Sequence, residues 1–390
     1  MHRFICLLLT LSISASLFYP TYTKAEDHNN SIADSAPSAI LMEKNSGMTL
    51  FKKEADKKLP PASMTKVMTL LLIMEELKKG SLTLDETVRV SEHAASMGGS
   101  QIFLEAGEEM SVDDLLKGVA VASGNDASVA LAERISGSEE EFVKLMNNKA
   151  KQLGLKNTHF ENPTGLPADN HYSTAHDMAV MARELLLHED ITKYTTIYED
   201  YLRKGKDNEF WLVNTNKLIK SYPGMDGLKT GFTEKAKYCL TATAKKGDLH
   251  MIAVVMGAEK PKERNEAVTS LLDFGFGQYE GQLLHSKDDV IDDMSNPRGT
   301  PHVLPLKPEK DVVVLKRKNE PKAKYTTAVT LNDAVDLPIR KGDHLGWLTV
   351  NNGKEEVSKV RLEASEPMEK ASLLELWERS FRNLAGFEKF

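Results

Sequence analysis

Cysteine is almost absent: 390 residues contain two, Cys6 and Cys239. Cys6 lies inside an N-terminal apolar run, so removal of that run leaves Cys239 alone and excludes an intramolecular disulfide. Within Tyr238-Cys239-Leu240 the remaining thiol reads as a small core residue rather than a nucleophile. Positive charge is in deficit, with 50 Lys and Arg against 57 Asp and Glu and a net charge of −7. That balance argues against a nucleic-acid binder, which needs a basic face against phosphate, and supplies no general pull toward anionic lipid. Long apolar runs are missing apart from one between Phe4 and about Tyr19, which is short for a spanning helix. There is no H-E-x-x-H pattern and no cysteine pair, so the common zinc-hydrolase ligand sets are excluded. His171 and His176 precede Asp177, but Thr174-Ala175-His176-Asp177 ahead of Met178 to Met181 fits a capping box opening a helix. No metal and no cofactor is expected.

What is present begins with an export pattern. The positive charge in Met1-His2-Arg3, the apolar run and the small residue of Thr23-Lys24-Ala25 predict a cleaved secretory signal over 1–25. Residues 26–37, polar and small, predict a disordered leader. Ala39 to Met42, the turn Asn45-Ser46-Gly47, and Met48 to Phe51 predict a β-hairpin. From Ser63 to about Lys79, Val67, Leu70, Leu71 and Met74 mark a long apolar helix, stopped by Gly80. The stretch 112–187 reads as mostly helical, broken around Ser123 and at Asn162-Pro163-Thr164-Gly165. Strand character returns at 227–233, 237–244 and 250–257, followed by a helix from about Glu263 to Tyr279. Strands at both ends with helices between them predict an α+β domain over 38–280, one antiparallel sheet with a helical insert. The polar stretch 281–300, with Asp288, Asp289, Asp292 and Asp293, predicts a boundary. A small β-rich domain follows over 300–365, with strands near 311–316, 325–331, 345–350 and 357–362. In 368–390, Leu373, Trp377, Phe381, Leu384 and Phe387 recur in steps of three and four, predicting an amphipathic helix.

Three short motifs carry the chemistry. Ser63-Met64-Thr65-Lys66 follows Pro60-Pro61 at the start of the apolar helix, where residues three apart share a face. A lysine desolvated beside other cations gives up its proton readily and can act as a base for the serine. The helix start also presents N–H groups where an oxyanion would develop. Alone the pattern is weak, expected on the order of once or twice by chance in such a chain. Ser123-Gly124-Asn125, about sixty residues later, sets a hydroxyl beside an amide. Lys229-Thr230-Gly231, at a strand start, joins a cation, a hydroxyl and an open backbone edge, which suits a carboxylate-ended substrate. Each motif also occurs in ordinary turns and strand ends, but their order and spacing together are specific.

In that order the motifs resemble those of the penicillin-binding protein and serine β-lactamase superfamily. Leu59 to Lys66, Ser123 to Ala127, Asn162 to Leu166 and Asp226 to Gly231 resemble the low-molecular-weight serine D-alanyl-D-alanine carboxypeptidases in particular, and Leu337 to Gly342 resembles their β-rich C-terminal module. The whole is most similar to the sporulation-associated type. The resemblance implies that Ser63 forms an acyl-enzyme with stem peptides of peptidoglycan ending in D-Ala-D-Ala, and that β-lactams acylate it. It implies Lys66 as base and Ser123 as proton relay, with Asn125, Lys229, Thr230, Gly231 and Arg264 binding substrate. The backbone N–H groups of Ser63 and Phe232 would form the oxyanion hole. Phe232 stands where a histidine is common, which bears on substrate preference. Related enzymes lay a C-terminal helix on the membrane surface, so 368–390 is expected to make peripheral membrane contact; its near-balanced charges leave docking on the protein itself as the other reading. Two functional rivals stand. A β-lactamase commonly carries E-x-x-L-N, which is missing between Ser123 and Lys229. A penicillin sensor would bind without turnover.

Overall fold

The computed structural model describes residues 32–319, 324–332 and 335–384. The expected signal with Cys6, and Phe387 near the C-terminus, lie outside them.

The central sheet is antiparallel and five-stranded. It is built from β1 (Ser38–Glu43), β2 (Thr49–Lys53), β3 (Met225–Thr233), β4 (Lys237–Lys246) and β5 (Leu249–Ala258), in the order β2-β1-β5-β4-β3. Two N-terminal strands therefore pair with three that follow nearly two hundred residues later, Leu41 lying opposite both Phe51 and Ala253. Alternation along each strand serves two cores. Ile40, Met42, Ile252 and Val254 face α1 (Lys66–Lys79), α2 (Asn125–Ser136) and α3 (Ala175–Leu185). Ala39, Leu41, Ala253 and Val255 face α4 (Pro261–Gln278) through Val268, Leu271 and Leu272. A sheet covered on both faces needs apolar residues at nearly every position, which is why β1 and β5 lack a polar face.

The predicted hairpin, the three late strands and the helices around them are found. Two local readings change. The apolar helix starts at Lys66, because Ala62 to Thr65 form a 3-10 turn after Pro60-Pro61, with Ala62 at φ +48°. The helix then runs to Gly80, which at φ +74° closes it by donating to Glu76 and Leu77. The leader is not disordered throughout: within 32–37, Ala33 and Ala36 are buried on the α4 side, and Lys53 Nζ donates to the carbonyls of Ala33 and Asp34. Small side chains let this segment lie close to the sheet.

A second β body follows α4 without a linker. The strand Tyr279–His285 begins one residue after Gln278 and pairs with Val312–Arg317. Asp292–Ser295, Val303–Pro308, Glu355–Ala364, His344–Asn352 and Tyr325–Leu331 form a five-stranded sheet. The polar stretch 281–300 thus carries strands, with Met294 in that body's core beside Leu304 and Leu348 while its acids face water. A helix, α5 (Leu373–Leu384), ends the described chain.

Candidate active site

The 3-10 turn presents Ser63, and the first residue of α1 presents Lys66 on the same side. Lys66 Nζ lies 3.3 Å from Ser63 Oγ, 2.6 Å from Asn125 Oδ1 and 2.7 Å from the carbonyl of Thr164. The lysine is fully buried. Burial first, then the charge of Lys229, holds its amine well below the ordinary 10.5, against a smaller opposing pull from Asp126. A neutral amine has two N–H donors and one lone pair. With Asn125 and Thr164 taking the donors, the lone pair is left for the hydroxyl of Ser63.

Ser123 follows a widened π turn, Gly118–Ala122, and sits in the left-handed region at φ +65°. Its hydroxyl is buried and has no hydrogen-bond partner among the described residues. Strained backbone and an unsatisfied polar atom in one residue are the marks of a group kept for chemistry. Asn125 opens α2; its Nδ2 donates to the Gly98 carbonyl at 2.6 Å, which aims Oδ1 at Lys66.

β3 is the edge strand, and it runs against the serine turn. A Cβ at Gly231 would fall 2.7 Å from the Pro61 carbonyl, so only glycine lets strand and turn approach this closely. Lys229 and Arg264 are 1% and 6% exposed, yet neither forms an ion pair among the described residues. Lys229 Nζ donates to the Thr230 carbonyl, and the Arg264 guanidinium donates to Asn265 Oδ1. Burial and then the Arg264 charge push the Lys229 amine down to about 7. Two buried cations left without an anion make a receptor for a carboxylate. Thr230 Oγ1 donates to Thr215 Oγ1 at 2.8 Å, and Phe232, half exposed, stacks on Tyr238.

Lys66, Asn125 and Gly231 thus meet at the Ser63 turn, with Lys229, Thr230 and Phe232 on the same β3 edge, while Arg264 lies close enough for its charge to act on Lys229. Several neighbours had no assigned role. Asn162 Oδ1 accepts from the backbone of Thr164 and Gly165, folding the turn that delivers the Thr164 carbonyl to Lys66. Gly165, at φ +83°, lies against the serine turn so tightly that a Cβ would overlap the Ala62 carbonyl. Only the family-like spelling of 162–166 pointed to it. Asp126 accepts from the backbone of Ile102 and Leu104, bracing the rim beside Asn125. His171, pushed down to about 4 by burial and then by His159, accepts at Nδ1 from Glu161 N–H and so donates from Nε2 to Thr65 Oγ1. Both its ring nitrogens are engaged in positioning. Thr174 caps α3 by accepting from Asp177 N–H, and Cys239 is buried with its thiol pushed up to about 11 by burial.

A cavity of about 380 Å³ opens beside the turn, lined by Pro61, Ala62, Gly165, Leu166 and Thr233. A larger one, about 600 Å³, lies between the end of α1 and the second body, away from all three motifs.

A family model described as D-alanyl-D-alanine carboxypeptidase matches residues 23–260, and one described as penicillin-binding protein 5, C-terminal domain, matches 279–370. The D-alanyl-D-alanine carboxypeptidase DacF of Bacillus subtilis is 50% identical over 386 residues, covering 98% of this chain and 99% of that protein. The crystal structure of penicillin binding protein 5 from Haemophilus influenzae superposes with a TM-score of 0.66 at 30% identity, over 86% of this chain and 98% of that one. Penicillin-binding protein D2 of Listeria monocytogenes, solved in its ampicillin-bound form, matches with a TM-score of 0.56 at 32% identity, over 62% of this chain and 98% of its own.

Proposed function

The chain belongs to the D-alanyl-D-alanine carboxypeptidase family, and from that premise we propose how its residues divide the work of removing the terminal D-alanine from peptidoglycan stem peptides. The single observation that carries the reading is the buried pair Lys229 and Arg264, without an anion among the described residues and close enough for the Lys229 charge to act on Lys66 beside Ser63. The pair takes the terminal carboxylate, which sets the last peptide bond over Ser63. Lys66 accepts the proton of Ser63 as Oγ bonds to the carbonyl carbon of the penultimate D-alanine. The oxyanion forms against the N–H groups of Ser63 and Phe232, a reading supported by the close approach of Gly231 to the Pro61–Met64 turn. Ser123, with its hydroxyl uncommitted, passes its proton to the leaving amine as the C–N bond breaks and takes in return the proton that Lys66 accepted from Ser63, which leaves Lys66 neutral again. D-Alanine departs. Water then attacks the Ser63 ester, giving a proton to Lys66, and the serine recovers its own. A β-lactam enters the same way, with its ring amide in place of the peptide.

Incubating purified wall fragments with the protein and weighing them by mass spectrometry tests this directly. The expected product has lost one terminal alanine, and Ser63→Ala yields none. Rapid, repeated hydrolysis of benzylpenicillin in place of a lasting adduct would overturn the reading in favour of a β-lactamase.

The substrate lies outside the cytoplasmic membrane, and the expected signal over 1–25 would carry the chain there. Peripheral membrane contact finds support in α5. Its polar side meets the second body, Arg379 donating to the Gly299 carbonyl and Thr300 Oγ1 donating to Glu375. Leu373, Leu374, Trp377 and Phe381 stand free on the other side, 60–87% exposed. An uncovered stripe of this kind suits the bilayer interface. Deleting 368–390 should shift the protein from membrane to soluble fractions; unchanged partitioning would refute the contact.

A further inference from the structure

One aromatic side chain is held out into solvent at a cost. Phe103 is 64% exposed, and its backbone lies at φ +56°, a region that bulky residues avoid. Four hydrogen bonds impose that conformation. The N–H groups of Ile102 and Leu104 on either side donate to the Asp126 carboxylate. The carbonyls of Ile102 and Phe103 accept from Arg203, which is itself clamped to Glu108. The ring packs against Phe210 in a T-shaped contact at 5.4 Å, and most of its surface stays open to water. Strain of this sort persists only where the surroundings over-determine it, and it collects at working sites. Nothing in the catalytic scheme uses this ring.

The loop also belongs to the groove. Asn125, which holds Lys66, donates its own N–H to the Ser100 carbonyl at 2.7 Å, and Asp126 is the next residue. From Ser100, three residues of chain reach at most about 11 Å, while an extended pentapeptide spans about 17 Å. Ile102 and Leu104, bonded to Asp126, tie the ring to the wall that holds Lys66, on the length scale that separates Ser63 from the far end of a bound stem peptide. At that far end the substrate changes from peptide to sugar. The C–H face of a pyranose is flat and apolar, and an open aromatic face is its natural complement.

We propose that Phe103, seated on Phe210, is a stacking ledge for the sugar nearest the stem peptide, so that the protein distinguishes glycan-linked from free stem peptides. This rests on the carboxypeptidase reading and extends it to a part of the substrate remote from the scissile bond.

The test compares kcat/KM for D-alanine release from a disaccharide pentapeptide and from the free pentapeptide of the same sequence, using the full chain. In Phe103→Ala the ratio of the two is expected to fall about 10-fold, mostly through KM, whereas Phe103→Trp should retain it. Benzylpenicillin acylation of Ser63 verifies that each variant is folded. A ratio unchanged in Phe103→Ala, or equal losses on both substrates, would overturn the ledge while leaving the carboxypeptidase intact. Failure of the unmodified protein to release D-alanine from either substrate would overturn both.

Discussion

Lys229 is costly to the fold, and the proposed scheme makes it necessary to the site. Its amine is buried, sits near Arg264, and is pushed down to about 7 from an ordinary 10.5. Between those two pH values the unfolded chain binds a proton that the folded chain does not, so this residue makes stability rise with pH across the window. Binding runs the other way. The ammonium proposed to meet a substrate carboxylate is lost as pH rises through about 7, so kcat/KM should fall on that limb. Below about pH 7, where the amine keeps its proton, Lys229→Met removes a buried charge with no counter-ion among the described residues. It should raise thermal stability by roughly 1 kcal/mol or more, seen by calorimetry, and erase the alkaline limb of the pH profile along with most of kcat/KM. A destabilised Lys229→Met would mean that the cation is neutralised in the free protein.

The turn 162–166 works as an element, because it holds the serine turn and the lysine base in register at once. Asn162 folds it, Thr164 supplies an acceptor to Lys66, and Gly165 packs where a methyl group would collide with the Ala62 carbonyl. Gly165→Ala meets both that collision and an unfavourable positive φ. It should cost about 1–3 kcal/mol in stability and slow benzylpenicillin acylation much more than such a loss alone would. Stopped-flow acylation beside a denaturant titration checks this; normal acylation in a destabilised variant would assign the turn to the fold alone. Much at this scale could be read from sequence. Periodicity and caps place α1 and α3, and strand alternation places β3 to β5. The 3-10 start at Ala62 and the π turn before Ser123 could not be, since each depends on packing against segments distant in the chain.

At the scale of the molecule, the two bodies keep separate cores. The apolar clusters on the two faces of the central sheet draw on 32–279 and hardly beyond, and the third draws on 284–368. Contacts between the bodies include Lys310 donating to the Asn45 carbonyl and Lys287 paired with the exposed Glu189. Exposed or bridging contacts of this kind contribute little to cooperativity. A chain ending at Gln278 should therefore still fold and be acylated by benzylpenicillin at an undiminished rate, read by mass spectrometry. Loss of acylation with retained helical signal would show that the second body shapes the groove.

By itself the sequence supplied the candidate site: three spaced motifs, through their resemblance to a known superfamily, imply a nucleophile, a base, a relay and a cation, because those roles require particular side chains. It also determined the alternation of strand and helix, because burial periodicity is a local property of the chain. Only the tertiary structure decided the surroundings of those residues. The anion-free burial of Lys229 with Arg264, the Thr164 carbonyl at Lys66, and the backbone on either side of Phe103 held by Asp126 all come from segments far apart in the chain. Desolvation and close packing belong to the folded volume, and no single stretch of chain encodes them.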